Sequence, residues 1–222
     1  MTEERNYWFD IFKGFAILGV VAVHFAQQFP YEIHTELKNL FISGQYMVQM
    51  FFIISGYFAF CSYSKYVGNG VVFLKKKILS LIPVCYVAYA IRILYLLFIG
   101  QKIAPLDVIC AFTFTNGISP HYINSIGGWY IGTLVVFYVI TPILYKIISD
   151  KKRAEVFFFV SVLVCVISTE FLRNWFDIGW TFYFWLPRQL PVISLGIVLF
   201  YFVKERTESE RIDKTSGGGI YV

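Results

Sequence analysis

The stretch Ile11-Phe12-Lys13-Gly14-Phe15-Ala16-Ile17-Leu18-Gly19-Val20-Val21-Ala22-Val23-His24-Phe25-Ala26-Gln27-Gln28-Phe29, entered from Asp10, decides the fold. It is almost continuously apolar over the length a helix needs to cross a hydrocarbon layer of roughly 30 Å. It lacks the apolar–polar alternation that marks a membrane barrel strand. A helix satisfies its backbone hydrogen bonds internally, so this stretch reads as a membrane-spanning helix. Similar runs recur along the chain. Six spans are expected, at about 7–29, 42–62, 78–100, 127–148, 155–173 and 182–203.

The expected fold class is therefore all-α, a polytopic transmembrane helical bundle. Residues 1–203 form its membrane domain, and the polar residues 204–222 read as a disordered cytoplasmic tail. The segment 104–116 is too short and interrupted for a span. It reads as an interfacial or re-entrant piece of a long loop from Gln101 to Gly128, broken by Pro105, Pro120 and the pair Gly127-Gly128. Composition agrees: 58% of residues are hydrophobic and only 15% charged, too little charge to coat a soluble core of this length. The first segment lacks a small-residue cleavage site after it, so it is expected to stay as the first helix and not to be a signal peptide.

Basic residues set the orientation, because short loops rich in Lys and Arg stay cytoplasmic. Arg5 and Lys13 lie at the N-terminal end. Lys65, Lys75, Lys76 and Lys77 follow the second span, Lys146, Lys151, Lys152 and Arg153 the fourth, and Lys204, Arg206, Arg211 and Lys214 the last. The alternate loops hold only Lys38, Lys102 and Arg173. Both ends are thus expected inside. The net charge of +5 is divided among these turns and forms no continuous patch, which argues against a nucleic-acid partner. Cys61, Cys85, Cys110 and Cys165 lack metal-ligand spacing and read as packing residues, and no metal site is expected.

A cation and an imidazole within one span are costly in hydrocarbon, so Lys13 and His24 mark a candidate functional site. Eleven residues separate them, about 16 Å along a helix and close to three full turns, so both point to nearly one face. Val20, Ile17 and Phe9 or Asp10 share that face, which should look into a polar cavity. An imidazole titrates near about 6.5 in isolation, so it can take up a proton and return it. The competing reading has His24 hydrogen-bonding a neighbouring helix and Lys13 snorkelling to the headgroups.

Other residues also carry two readings. Ser55-Gly56 lines a substrate path or lets two helices approach closely. Trp129, Tyr130 and Tyr138 read first as interfacial belt aromatics and second as stacking surfaces for a sugar or adenine. Arg92 is a snorkelling end residue or, from its place near the middle of the third span, a cavity charge. Arg188, between Pro187 and Pro191, sits at what reads as a broken helix entrance.

Taken together, Phe9-Asp10-Ile11-Phe12-Lys13-Gly14-Phe15-Ala16-Ile17 through His24 resembles the first-helix signature of the integral-membrane acyltransferase-3 family. Phe51-Phe52-Ile53-Ile54-Ser55-Gly56-Tyr57 is similar to that family's second-helix motif. Weaker likenesses follow in Phe73 through Lys77 to Pro83, in Trp129 with Tyr138 and Pro142, and in Pro187-Arg188-Gln189-Leu190-Pro191 with Gly196. The resemblance implies a multi-pass enzyme of the bacterial inner membrane. Such an enzyme transfers an acyl group, usually acetyl from acetyl-CoA, to a hydroxyl of a cell-envelope glycan or a lipid-linked sugar. Acyl-CoA is then a donor substrate, and no bound cofactor is expected.

On this reading His24 is the catalytic base or an acyl carrier, and Asp10 offsets the charge of Lys13. Lys13 and the cluster Lys75 to Lys77 attract the coenzyme A phosphates, although topology alone also accounts for that cluster. Ser55, Gly56, Lys77, Arg92, Trp129 and Arg188 complete the expected substrate-binding set. Ser55 is not expected to be a nucleophile, because no Gly-x-Ser-x-Gly turn surrounds it.

The chain also departs from the family pattern. Lys13 stands where the family usually has Arg, Ser80 where a second basic residue is common, and members usually have more spans than six. The ending Thr215-Ser216-Gly217-Gly218-Gly219-Ile220-Tyr221-Val222 reads as unstructured, so a shortened member is expected. The alternative function is a non-catalytic truncated member or a membrane carrier. A carrier is commonly built from inverted halves, and spans one to three show no such likeness to spans four to six.

Overall fold

The computed structural model describes residues 7–28, 35–117, 126–176 and 183–216. These residues form eight α-helices and no strand. The helices are α1 (Tyr7–Gln28), α2 (Thr35–Ile42), α3 (Tyr46–Tyr63), α4 (Gly70–Phe98), α5 (Pro105–Phe112), α6 (Trp129–Ile147), α7 (Lys151–Phe176) and α8 (Leu186–Ser216). Single 3-10 turns lie at Ser43–Gln45 and Thr115–Gly117. Among the described residues, five helical stretches are long and apolar enough to cross a membrane: Asn39–Tyr63, Gly70–Phe98, Trp129–Ile147, Lys151–Phe171 and Leu186–Glu210. The 22 residues of α1 reach about 33 Å at the usual helical rise, the length expected of the first span. The chain is a polytopic helical bundle.

Local chemistry explains where the helix ends depart from expectation. The side chain of Asn69 accepts a hydrogen bond from the Val72 N–H at 3.3 Å and caps α4. The helix therefore starts at Gly70 and carries Lys75, Lys76 and Lys77 on its first two turns, not in the preceding loop. The segment expected to be interfacial or re-entrant contains the short helix α5, with Pro105 in its first turn, held to α4 by the Tyr86 hydroxyl donating to the Phe112 carbonyl at 2.8 Å. Pro120 lies outside the described residues. Two corrections concern α8. Its entrance is not broken, because the helix runs from Leu186 through Pro191. The polar residues after Lys204, expected to be a disordered tail, continue the helix to Ser216, where an Arg206–Glu210 ion pair of 3.0 Å links successive turns. Residues 217–222 lie outside the described residues.

The centre of the bundle is the parallel crossing of α3 and α8, in which Gln49 lies near Tyr183 at one end and Phe60 near Phe200 and Tyr201 at the other. A Cβ on Gly56 would overlap the Ile193 carbonyl, and one on Gly196 would overlap the Ile53 carbonyl and the Tyr57 backbone nitrogen. Each helix thus presents a bare backbone to the other, the small-residue route to close helix packing in a membrane. Aromatic side chains fill the space around this crossing. Phe52, Phe60, Phe73 and Phe137 are fully buried, and the Phe60 ring lies 5.8 Å from Phe200 and 5.3 Å from Tyr145. α7 packs on the other side of α8, where the buried hydroxyls of Ser161 and Ser194 pair at 3.1 Å. α1 packs on α3 and on the 3-10 turn, where Gly19 and Gly44 meet backbone to backbone. The connections between helices are pinned as well. The Tyr201 hydroxyl donates to the Ile148 carbonyl at the end of α6, and Asp150 caps α7 through the Arg153 N–H at 2.9 Å.

Two predictions follow from this architecture. Gly196→Ala should lower the melting temperature of the detergent-solubilised protein, because overpacking typically costs about 1–3 kcal/mol. Gly14→Ala, where an added Cβ meets nothing within 4 Å, should leave it unchanged or raised; equal melting points for the two variants would refute the close crossing. The second prediction concerns Asp150, whose carboxyl is held below the usual carboxylate range, chiefly by the Arg153 backbone N–H and then by the Ser149 hydroxyl. A depressed folded-state value means that the ionised cap stabilises above the unfolded value of about 3.9 and loses this effect as pH falls through the folded value. Asp150→Ala should therefore melt lower than the wild type at pH 7, with the gap closing on strong acidification.

Candidate active site

The site is built from α1 outward. Ala16, Val23 and Ala26 form the buried stripe of α1, with Gly19 at the 3-10 turn. Lys13 and His24 stand together on one flank of that stripe, as their spacing requires. The Lys13 Nζ lies 4.6 Å from the centre of the Phe58 ring of α3 and 3.8 Å from the Asp10 carboxylate. The expected Asp10–Lys13 pair is therefore formed, and the ammonium also rests on an aromatic face. Both partners keep 39% of their side-chain surface, so the pair is screened and contributes modestly. His24 is exposed on the same flank, as is Ile17, while Val20 is half-buried.

On α3, Phe51, Ser55 and Phe58 recur at spacings of four and three and so share a face. Phe58 touches α1 through Lys13. Ser55 and Phe51 touch α6 through Tyr130, with the two hydroxyls 3.1 Å apart and the rings 6.2 Å apart. This face is the floor of a groove between α1 and α6, with a cation at its inner part and a hydroxyl pair further out. Gly56, next in sequence, is turned away from the groove and buried in the α3–α8 crossing. Gly56 serves packing, and the Ser55 hydroxyl bridges α3 to α6 through Tyr130. Tyr130, read from the sequence as a belt or stacking aromatic and left out of the expected substrate-binding set, meets Ser55 here. Its position behind Gly127-Gly128-Trp129 signals a helix start, but not which helix its hydroxyl meets.

The remaining expected site residues separate. Lys75 and Lys76 are exposed, and Lys76 donates to the Tyr66 hydroxyl at 2.9 Å. Lys77 alone turns inward, its Nζ 5.5 Å from the Tyr138 ring and 5.9 Å from Phe73, on the α4 side of α6. Arg92 is exposed near the end of α4, 5.5 Å from the Tyr95 ring of its own helix, as an end residue would be and unlike a cavity charge. The difference arises because α4 starts early and ends at Phe98, two turns beyond Arg92. Arg188 is exposed and directed to the Cys165 sulfur of α7 at 3.6 Å, away from the groove. Tyr138 is buried, an internal packing aromatic and not a belt residue, while Trp129 at the start of α6 is half-buried, 4.7 Å from Phe184 and 6.0 Å from Phe52. Among the described residues, no group of three or more His, Cys, Asp or Glu could hold a metal ion.

A model of the family described as acyltransferase domain matches residues 6–217, nearly the whole chain. The chain belongs to this acyltransferase family. No curated protein and no solved structure matches it. The membrane helices and the family together make the chain a membrane acyltransferase in the general sense.

The half-exposed geometry of the acyltransferase ion pair has a measurable consequence. A double-mutant cycle over Asp10→Asn and Lys13→Met should give a coupling of about 0.2–1 kcal/mol in thermal stability. A coupling several times larger would mean that the pair is desolvated.

Proposed function

We propose that this acyltransferase moves an acyl group, acetyl by preference, from acyl-CoA to a hydroxyl of a cell-envelope carbohydrate or lipid-linked sugar in the bacterial inner membrane. The observation that carries the reading is the shared flank of α1. Lys13, tethered by Asp10 and Phe58, lies about 16 Å below His24 along one helix, beside the α3 face that holds Ser55.

Acyl transfer to an alcohol needs a base for the hydroxyl proton and a means of binding the donor. His24 takes the acceptor proton, and the acceptor oxygen attacks the thioester carbonyl. The carbon–sulfur bond then breaks, and the coenzyme A thiolate takes the proton back from the imidazolium. Lys13 and the inward-turned Lys77 supply positive charge for the donor phosphates from the basic end of the bundle. Ser55 and Tyr130 offer hydroxyls along the groove between the two ends.

In cells carrying the gene, His24→Ala should reduce O-acetylation of the surface carbohydrate to the level of a strain without the protein, with the membrane content of the protein unchanged. Equal acetylation by wild type and variant would remove His24 from the mechanism. Lys13→Arg should keep or raise the activity, because a guanidinium is the better phosphate ligand; complete loss would show that Lys13 does not act by binding phosphate.

A further inference from the structure

The end of the bundle opposite the basic turns carries a second polar feature, on the side of α3 away from α1. Gln49 lies in the first turn of α3, Trp129 opens α6, and Tyr183 immediately precedes α8, so three helix ends meet there. The Gln49 amide nitrogen donates to the Tyr183 hydroxyl at 2.6 Å. The other half of that amide, Oε1, is covered and has no hydrogen-bond partner among the described residues. Because the phenol oxygen accepts from Gln49, its own proton is left for another acceptor. The Trp129 ring lies 5.6 Å from Tyr183 and 4.7 Å from Phe184 and remains half-buried. The Thr133 hydroxyl fixes this arrangement by donating to the Phe184 carbonyl at 2.7 Å.

These groups define a ligand by chemistry. One uncommitted carbonyl and one uncommitted hydroxyl proton match a partner that donates and accepts through the same oxygen, which is an alcohol. The aromatic rings beside them match the apolar C–H face of a sugar ring. The contacting side chains are uncharged, and Arg188, on the first turn of α8, is turned to Cys165. Among the described residues, a phosphate or nucleotide finds no counter-charge here. We infer that Gln49, Tyr183 and Trp129 form a neutral-sugar subsite that holds the carbohydrate acceptor at the outer end of the bundle, with Gln49 and Tyr183 as specificity-determining residues. This inference rests on the acyl-transfer reading above and adds to it where the acceptor binds.

The test uses membranes containing the full chain, radiolabelled acetyl-CoA as donor, and carbohydrate extracted from the host envelope as acceptor, added in increasing amounts. Tyr183→Phe removes one oxygen from a partly buried ring and should fold; Gln49→Leu removes the amide. Each should raise the acceptor concentration for half-maximal transfer about tenfold, the effect of one lost hydrogen bond, and leave the acetyl-CoA dependence unchanged. Wild-type-like acceptor dependence in both variants, with wild-type transfer intact, would overturn the subsite and leave the acyl-transfer reading standing. A loss of maximal rate with no change in acceptor dependence would also overturn it, since that is what mere destabilisation produces. Absence of any transfer by the wild type would defeat the acyl-transfer reading, and this one with it.

Discussion

The backbone contact between α3 and α8 is the constraint on which the rest depends. In a bilayer, helices gain nothing by hiding apolar side chains from lipid, so association needs close van der Waals approach. Gly56 and Gly196 provide it reciprocally, each set against the other helix's carbonyls. Once that distance is fixed, the large aromatic side chains have one way to fill the flanking space. Phe60 packs between Tyr145 and Phe200, and Tyr63 meets Phe73 at 5.2 Å. The same rotation of α3 turns Ser55 and Phe58 to the opposite side, where α1 and α6 meet them.

Packing and chemistry are thus divided around the circumference of one helix. The face of α3 with Ile53, Gly56 and Tyr57 is used by α8, and the face with Phe51, Ser55 and Phe58 is left for the groove. Adjacent residues Ser55 and Gly56 belong to different faces because a helix turns about 100° per residue. A motif that pairs them in sequence therefore joins a structural requirement to a chemical one.

The cations near the apolar layer are handled in three ways. Lys13 has a carboxylate and an aromatic ring, and Lys77 has two rings on its own side of α6. Arg92 and Arg188 remain exposed at helix ends, where long side chains reach the headgroup region. Only the first two are held beneath the aromatic interior. They occupy the end of the bundle where the basic turns also gather, so positive charge falls towards the opposite end, where Gln49, Trp129 and Tyr183 are uncharged.

The sequence by itself determined the class, the helices and the first-helix pairing of Lys13 with His24, because these depend on local composition and on a spacing that three helical turns fix. It also determined the Asp10–Lys13 pair, whose members are one turn apart. Only the tertiary structure decided which aromatics are interior, that Gly56 packs against α8 while Ser55 meets Tyr130 of α6, and that Arg92 and Arg188 are exposed. The contacts of Phe58, Tyr130 and Tyr183 join residues far apart in the chain, and nothing in the spacing within one helix specifies the rotation of the next. That rotation is set where backbones touch, at Gly56 and Gly196 and at Gly19 and Gly44.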